Sequence, residues 1–164
     1  MQPARIEPTA GQESVWDYPR PPALVPDDRR VTIELAGVAI ADTMHALRVL
    51  ETSSPPTFYL PLTDVRRDLL RPANGTSFCE WKGVAAYLDI VVGERVSSEA
   101  GWYYPDPSAR YAALADHVAF YAGRVDRATV GGIMVTPQPG GYYGGWITPD
   151  VVGPFKGAPG THRW

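Results

Sequence analysis

The sequence predicts a mainly β protein: an antiparallel sheet folded against itself, with about seven to nine short strands and one or two short helices. Three observations predict it. Sixteen glycines and 17 prolines punctuate the chain, which cuts it into short elements. Several stretches alternate apolar and polar residues with the period of a half-buried strand. Strands alternating with long helices are absent, which argues against a doubly wound nucleotide-binding fold.

Residues 1–29 carry six prolines and are expected to form an extended arm, with Trp16 and Tyr18 as anchors. In Arg30–Ala36, Val31, Ile33 and Leu35 alternate with Thr32 and Glu34, the signature of a half-buried strand. Gly37 permits a turn into a second strand at Val38–Ala41. Thr43–Glu51 fits either period: Met44, Leu47 and Leu50 share a helical face, whereas Leu47, Val49 and Glu51 share a strand face. Thr57–Pro61, boxed by prolines, is predicted as a strand. Thr63 reads as the N-cap of a short helix over Asp64–Leu70, ended by Pro72.

Asn74-Gly75 signals a turn. Phe78–Val92 is then the longest predicted strand. Strict alternation puts Phe78, Glu80, Lys82 and Val84 on one face and Cys79 and Trp81 on the other, with Gly83 as a bulge. Trp102–Tyr104 predicts a short strand, Ser108–Ala115 a helical turn, and His117–Tyr121 and Thr129–Val135 the last strands. The segment 137–161 holds seven glycines and five prolines, yet also Tyr142, Tyr143, Trp146 and Phe155. Aromatic content of that kind predicts an ordered tail rather than a linker.

A chain of 164 residues is long enough to bury its own core, so a single domain over 1–164 is expected, with the arm 1–29 and the tail 137–164 packed onto it. Fifteen basic against 18 acidic residues give a net charge of −3. That balance disfavours nucleic acid as a partner, since phosphate binding needs clustered Lys and Arg. No stretch approaches a spanning helix and no signal peptide is legible, so no membrane partner and a cytoplasmic location are expected. With one cysteine, Cys79, neither an intrachain disulfide nor a cysteine zinc site is expected.

Motifs exclude more than they establish. There is no phosphate-binding Gly-x-x-x-x-Gly-Lys-Ser/Thr, no Gly-x-Gly-x-x-Gly, and no pair of acidic residues spaced i, i+2 for two-metal chemistry. His45, His117 and His162 are far apart in sequence. A site built from His117 with Glu51 or Glu80 has no local support, so no metal and no cofactor are expected. Cys79 reads as a small buried hydrophobe.

What remains is an aromatic and polar constellation. Aromatics make 11% of the chain, with 5 Trp and 9 Tyr; such rings favour pockets and interfaces as well as cores. Tyr59, Trp81, Trp102 and Tyr104 are predicted as pocket walls. Arg48, Glu51, Glu80 and Lys82 are predicted as polar contacts, with Arg48 or Lys82 favouring a carboxylate or phosphate. Three functions follow. The first is binding of a small molecule. The second is an enzyme with Glu80 as general acid–base and Lys82 stabilising developing negative charge. The third is an interaction module in which the tail makes a homodimer.

Seven stretches carry a resemblance: ESVWDYPRPP at 13–22, IADTMHALRVLET at 40–52, PPTFYLP at 55–61, CEWKG at 79–83, WYYPD at 102–106, VAFYAGRVD at 118–126 and the tail from Pro137. Through them the chain resembles domain-of-unknown-function family 427, sometimes labelled nucleotidyltransferase-like. The resemblance implies a compact two-sheet β-tent, or Mss4-like, fold. The four-cysteine zinc of many proteins in that fold group is not implied for a chain with one cysteine. In others the concave sheet face binds small ligands, one through a cage of three tryptophans, which is the part the resemblance suggests for Trp81 and Trp102.

Overall fold

The computed structural model describes residues 3–164. Its strands, in chain order, are β1 (Glu13–Ser14), β2 (Ala23–Asp27), β3 (Val31–Leu35), β4 (Val38–Thr43), β5 (Ala46–Leu50), β6 (Thr57–Pro61), β7 (Leu70–Cys79), β8 (Gly83–Val92), β9 (Arg95–Tyr103), β10 (His117–Phe120), β11 (Arg127–Val130), β12 (Ile133–Met134), β13 (Thr136–Pro137), β14 (Trp146–Ile147) and β15 (Val151–Val152). Two antiparallel sheets dominate. The larger has seven strands in the order β2-β5-β6-β10-β9-β8-β7; the smaller has four, β12-β11-β3-β4. The predicted mainly β, two-sheet architecture is what the chain adopts.

The core lies between these sheets. Val31, Ile33 and Leu35 of β3 and Ala128 and Val130 of β11 face Phe58, Leu60, Leu88, Ile90, Val118 and Phe120 of the larger sheet. All are buried. Burial of this apolar surface is the main favourable term in folding, each fully buried large side chain contributing about 1.5–3 kcal/mol.

The larger sheet has a second covered face. Along β6, Phe58 and Leu60 enter the inter-sheet core while Tyr59 joins a separate aromatic cluster. Along β9, Tyr103 packs against the first side and Trp102 takes the second, followed beyond the strand by Tyr104. Period two alone therefore delivers Val49, Tyr59, Ala85, Trp102, Tyr104 and Ala119 to one outer face.

Both terminal segments contribute to the fold. The arm supplies β2, which pairs with the edge of β5, and β1, which pairs in parallel with β15 of the tail. Tyr18 is buried, and Trp16 donates from Nε1 to the Pro154 carbonyl at 2.9 Å. In the tail, Trp146 is 1% exposed, stacks on Phe58 at 5.1 Å between ring centroids, and donates to the Phe120 carbonyl at 2.9 Å.

One open reading is settled and two local expectations are corrected. Within Thr43–Glu51, which fits either period, Thr43 ends β4 and Ala46–Leu50 form strand β5, so the helical period does not apply. Asp64–Leu70 is not a helix: two 3₁₀ turns, Leu62–Asp64 and Arg67–Leu69, bridge β6 to β7. So short a segment gains too few helical hydrogen bonds to offset nucleation. Phe78–Val92 is not one strand but a hairpin. It turns at Glu80-Trp81-Lys82, with Cys79 opposite Gly83 and Phe78 opposite Val84. Gly83 is at φ +107°, a conformation that L side chains rarely adopt. It ends the turn rather than marking a bulge. Among the described residues no helix is long and apolar enough to cross a membrane.

Candidate functional site

The outer face of the larger sheet carries a cavity of about 560 Å³. Its floor is built by β5, β6, β8 and β9, from which Val49, Tyr59, Tyr87 and Trp102 project. The β7–β8 turn forms one wall with Glu80, Trp81 and Lys82, and the tail covers the other side with Gln138, Tyr142, Tyr143, Gly144 and Lys156.

The walls are locked by ring packing and hydrogen bonds. Trp102 meets Tyr59 edge-on at 6.2 Å and Tyr121 at 4.6 Å, and its indole N–H donates to the Tyr59 hydroxyl at 3.3 Å. Tyr59 and Tyr104 are 6.2 Å apart. Burial pushes the Tyr59 and Tyr104 phenols well above their ordinary value and Tyr121 up to about 12. All three are neutral hydroxyls at neutral pH.

Lys82 is the charged group inside. It is 8% exposed, and among the described residues it makes no ion pair with a carboxylate. Its ammonium sits 5.7 Å from the centroid of the Tyr104 ring. Burial works against its charge. Tyr59, Cys79 and Glu51 outweigh that and hold its pKa above the ordinary 10.5. Lys82 is therefore an ammonium at neutral pH, with donors to spare. Ser108 fixes its backbone: the Ser108 amide donates to the Lys82 carbonyl at 3.0 Å, and the Ser108 hydroxyl to the Trp81 carbonyl at 2.6 Å.

Of the residues predicted as a site, Glu51, Tyr59, Glu80, Trp81, Lys82, Trp102 and Tyr104 all line this cavity. Arg48 does not. As a strand residue it points opposite to Val49 and Glu51, where it pairs with Glu13 at 2.9 Å and Asp27 at 3.3 Å. Glu80 and Lys82 do not share a strand face either. At the turn, Glu80 is exposed and Lys82 is buried. The same turn brings Lys82 beside Cys79, which strict pleating had placed on opposite faces.

Sequence reasoning missed Gln138, Tyr143, Gly144 and Lys156. Their aromatic and glycine-rich surroundings signalled order, but not which surface they cover. His45, His117 and His162 are not brought together, and among the described residues no group of three or more His, Cys, Asp and Glu is placed to hold a metal ion.

The fold and site define a class: a two-sheet antiparallel β protein with an aromatic-lined cavity, carrying a buried lysine in one wall, on the outer face of its larger sheet. The chain belongs to the family described as Domain of unknown function (DUF427), which matches residues 23–131. No curated protein matches it. The family match takes in the floor and the turn and ends before the tail residues that cover the cavity.

Proposed function

We propose that the protein binds a small planar organic acid in this cavity. The observation that carries the reading is Lys82, a buried ammonium without a carboxylate partner among the described residues, facing an aromatic cavity. A buried charge is costly unless paired. An anionic ligand supplies the missing partner, with a charge-assisted bond from the ammonium. The Tyr59 hydroxyl, which accepts from Trp102, retains its own proton as a second donor. The volume suits a ligand of one or two rings, and Trp102, Tyr104 and Trp81 supply flat walls.

An enzymatic reading has less support. Glu80, its expected acid–base group, stands exposed on the turn, whereas Lys82, its expected partner in the reaction, is buried.

Native mass spectrometry of freshly purified protein, followed by calorimetric titration with benzoate and its neutral analogue benzamide, tests the proposal. Benzoate binding that benzamide does not match, and that Lys82→Met abolishes, is the expected result. Equal binding of acid and amide, or binding indifferent to Lys82→Met, overturns it.

A further inference from the structure

Cys79 is the one cysteine of the chain, and it is half-buried in the cavity wall. It ends β7, opposite Gly83 in the pairing with β8. The short turn between them brings the chain back so that Lys82, next to Gly83, stands beside Cys79, and both residues line the cavity. Ser108 holds this turn through the Trp81 and Lys82 carbonyls. Cys79 also packs against the aromatic cluster of Tyr59, Trp102 and Tyr104.

Lys82 supplies the second, independent observation. It is 8% exposed, lines the same cavity and makes no ion pair with a carboxylate among the described residues. Glu51 and Glu80 line the cavity too, but Glu51 is engaged by Arg20 at 3.5 Å and Glu80 is exposed. The charge that the turn places beside the thiol is therefore that of Lys82, and Cys79 is among the groups that favour it. Accessible thiols beside a cation are the reactive ones, because the attacking species is the thiolate. The same ammonium attracts an acid group.

We infer that Cys79 is a thiol–disulfide exchange site for small aromatic disulfides that carry an acid group, with Lys82 holding the acid. This rests on the cavity being a site for an organic acid, the reading proposed above, and adds a covalent step to it. The Cys79 thiol gives its proton to water. Its thiolate attacks one sulfur of the incoming disulfide, a new S–S bond forms at Cys79, and the old S–S bond breaks. The other half leaves as a thiolate with the electron pair. The incoming disulfide is the oxidant, and Cys79 is oxidised to the mixed disulfide. Because the adduct occupies the space beside Lys82, exchange and acid binding exclude one another.

Full-length protein is treated at neutral pH with dithiobis(nitrobenzoate), an aromatic disulfide bearing carboxylates, and with dithiodipyridine, a neutral one. Absorbance follows the released thiolate, and mass spectrometry counts the adducts. A single adduct per folded chain, absent from Cys79→Ser, is expected. Lys82→Met should lower the rate with the acidic disulfide roughly tenfold relative to the neutral one, the factor expected of one lost charge-assisted contact. The ratio of the two rates cancels any effect on the thiol itself, and circular dichroism checks that the variant is folded. Saturating benzoate should slow the reaction of wild type with both disulfides, a readout that needs no variant.

A thiol that reacts with neither disulfide until the chain is unfolded overturns this inference and leaves acid binding standing. So does a rate ratio that Lys82→Met leaves unchanged, or benzoate that binds by calorimetry without protecting Cys79. Benzoate that neither binds nor protects overturns the acid-binding reading, and this inference with it.

Discussion

Gly144 lies so close to the indole of Trp102 that a Cβ at this position would stand 2.0 Å from Cη2. The tail is thus seated on a cavity wall at a point that tolerates no side chain. A Gly144→Ala variant must move either the tail or the indole. We expect it to cost about 1–3 kcal/mol, the range for overpacking. Thermal melting reads the loss, and a shift in tryptophan emission reports the disturbed Trp102.

Lys82→Met should separate function from stability. The surroundings that hold the Lys82 pKa above 10.5 favour the ammonium in the folded state, so at neutral pH the charge contributes stability. Stability should fall by about 1 kcal/mol with the fold kept, while benzoate binding is lost. A cooperative loss of fold in denaturant melts would instead make Lys82 a structural residue.

Arg48→Met should do the reverse. Arg48 joins Glu13 on β1 to Asp27 on β2 and stands on the far side of β5 from the cavity. Removing it leaves the buried Asp27 paired with Arg29 at 2.6 Å but one cation fewer, a loss of about 1.5–3 kcal/mol for charged hydrogen-bonded contacts. Probe affinities should not change. A loss of benzoate binding in a folded Arg48→Met protein would contradict the face assigned to this residue.

Acid should act through the same cluster. Burial alone would raise the Asp27 carboxyl, but hydrogen bonds from Arg29 and the nearby charge of Arg48 outweigh it and hold the pKa below the ordinary 3.8. A carboxylate whose folded pKa is depressed contributes stability above its unfolded pKa and loses it as pH falls through the folded one. Asp27 therefore stabilises fully at neutral pH, and its contribution declines below about pH 4, the unfolded carboxylate range. Asp27→Asn should melt earlier than wild type at pH 7, and the gap should narrow as the pH is lowered below 4.

Much of the cavity's lining is legible because strands have a fixed period. Once Thr57–Pro61 and Trp102–Tyr104 are read as strands, Tyr59 is separated from Phe58 and Leu60, and Trp102 and Tyr104 from Tyr103. The structure uses those alternations to split core from cavity. The same rule failed at Glu80-Trp81-Lys82, where it was carried across a turn. Gly83 was the signal: its positive φ ends the turn, and a glycine inside an alternating stretch has both a bulge reading and a turn reading. Arg48 was misplaced for a related reason. The stretch around it fits two periods, and only strand pairing of β5 with β2 and β6 selects one.

Composition and periodicity determined the mainly β class, the aromatic character of the walls and the presence of a lysine and two glutamates near them. These are local properties, written in each residue's chemistry and its spacing to neighbours. Tertiary structure alone decided that Lys82 is buried and Glu80 exposed, that Arg48 faces away, and that Gly144 and Lys156 close over Trp102 and the cavity. Those outcomes depend on where the hairpin turns and where the tail docks. Both are set by contacts between residues far apart in sequence, such as Trp146 with Phe58 and Lys156 with Ser53.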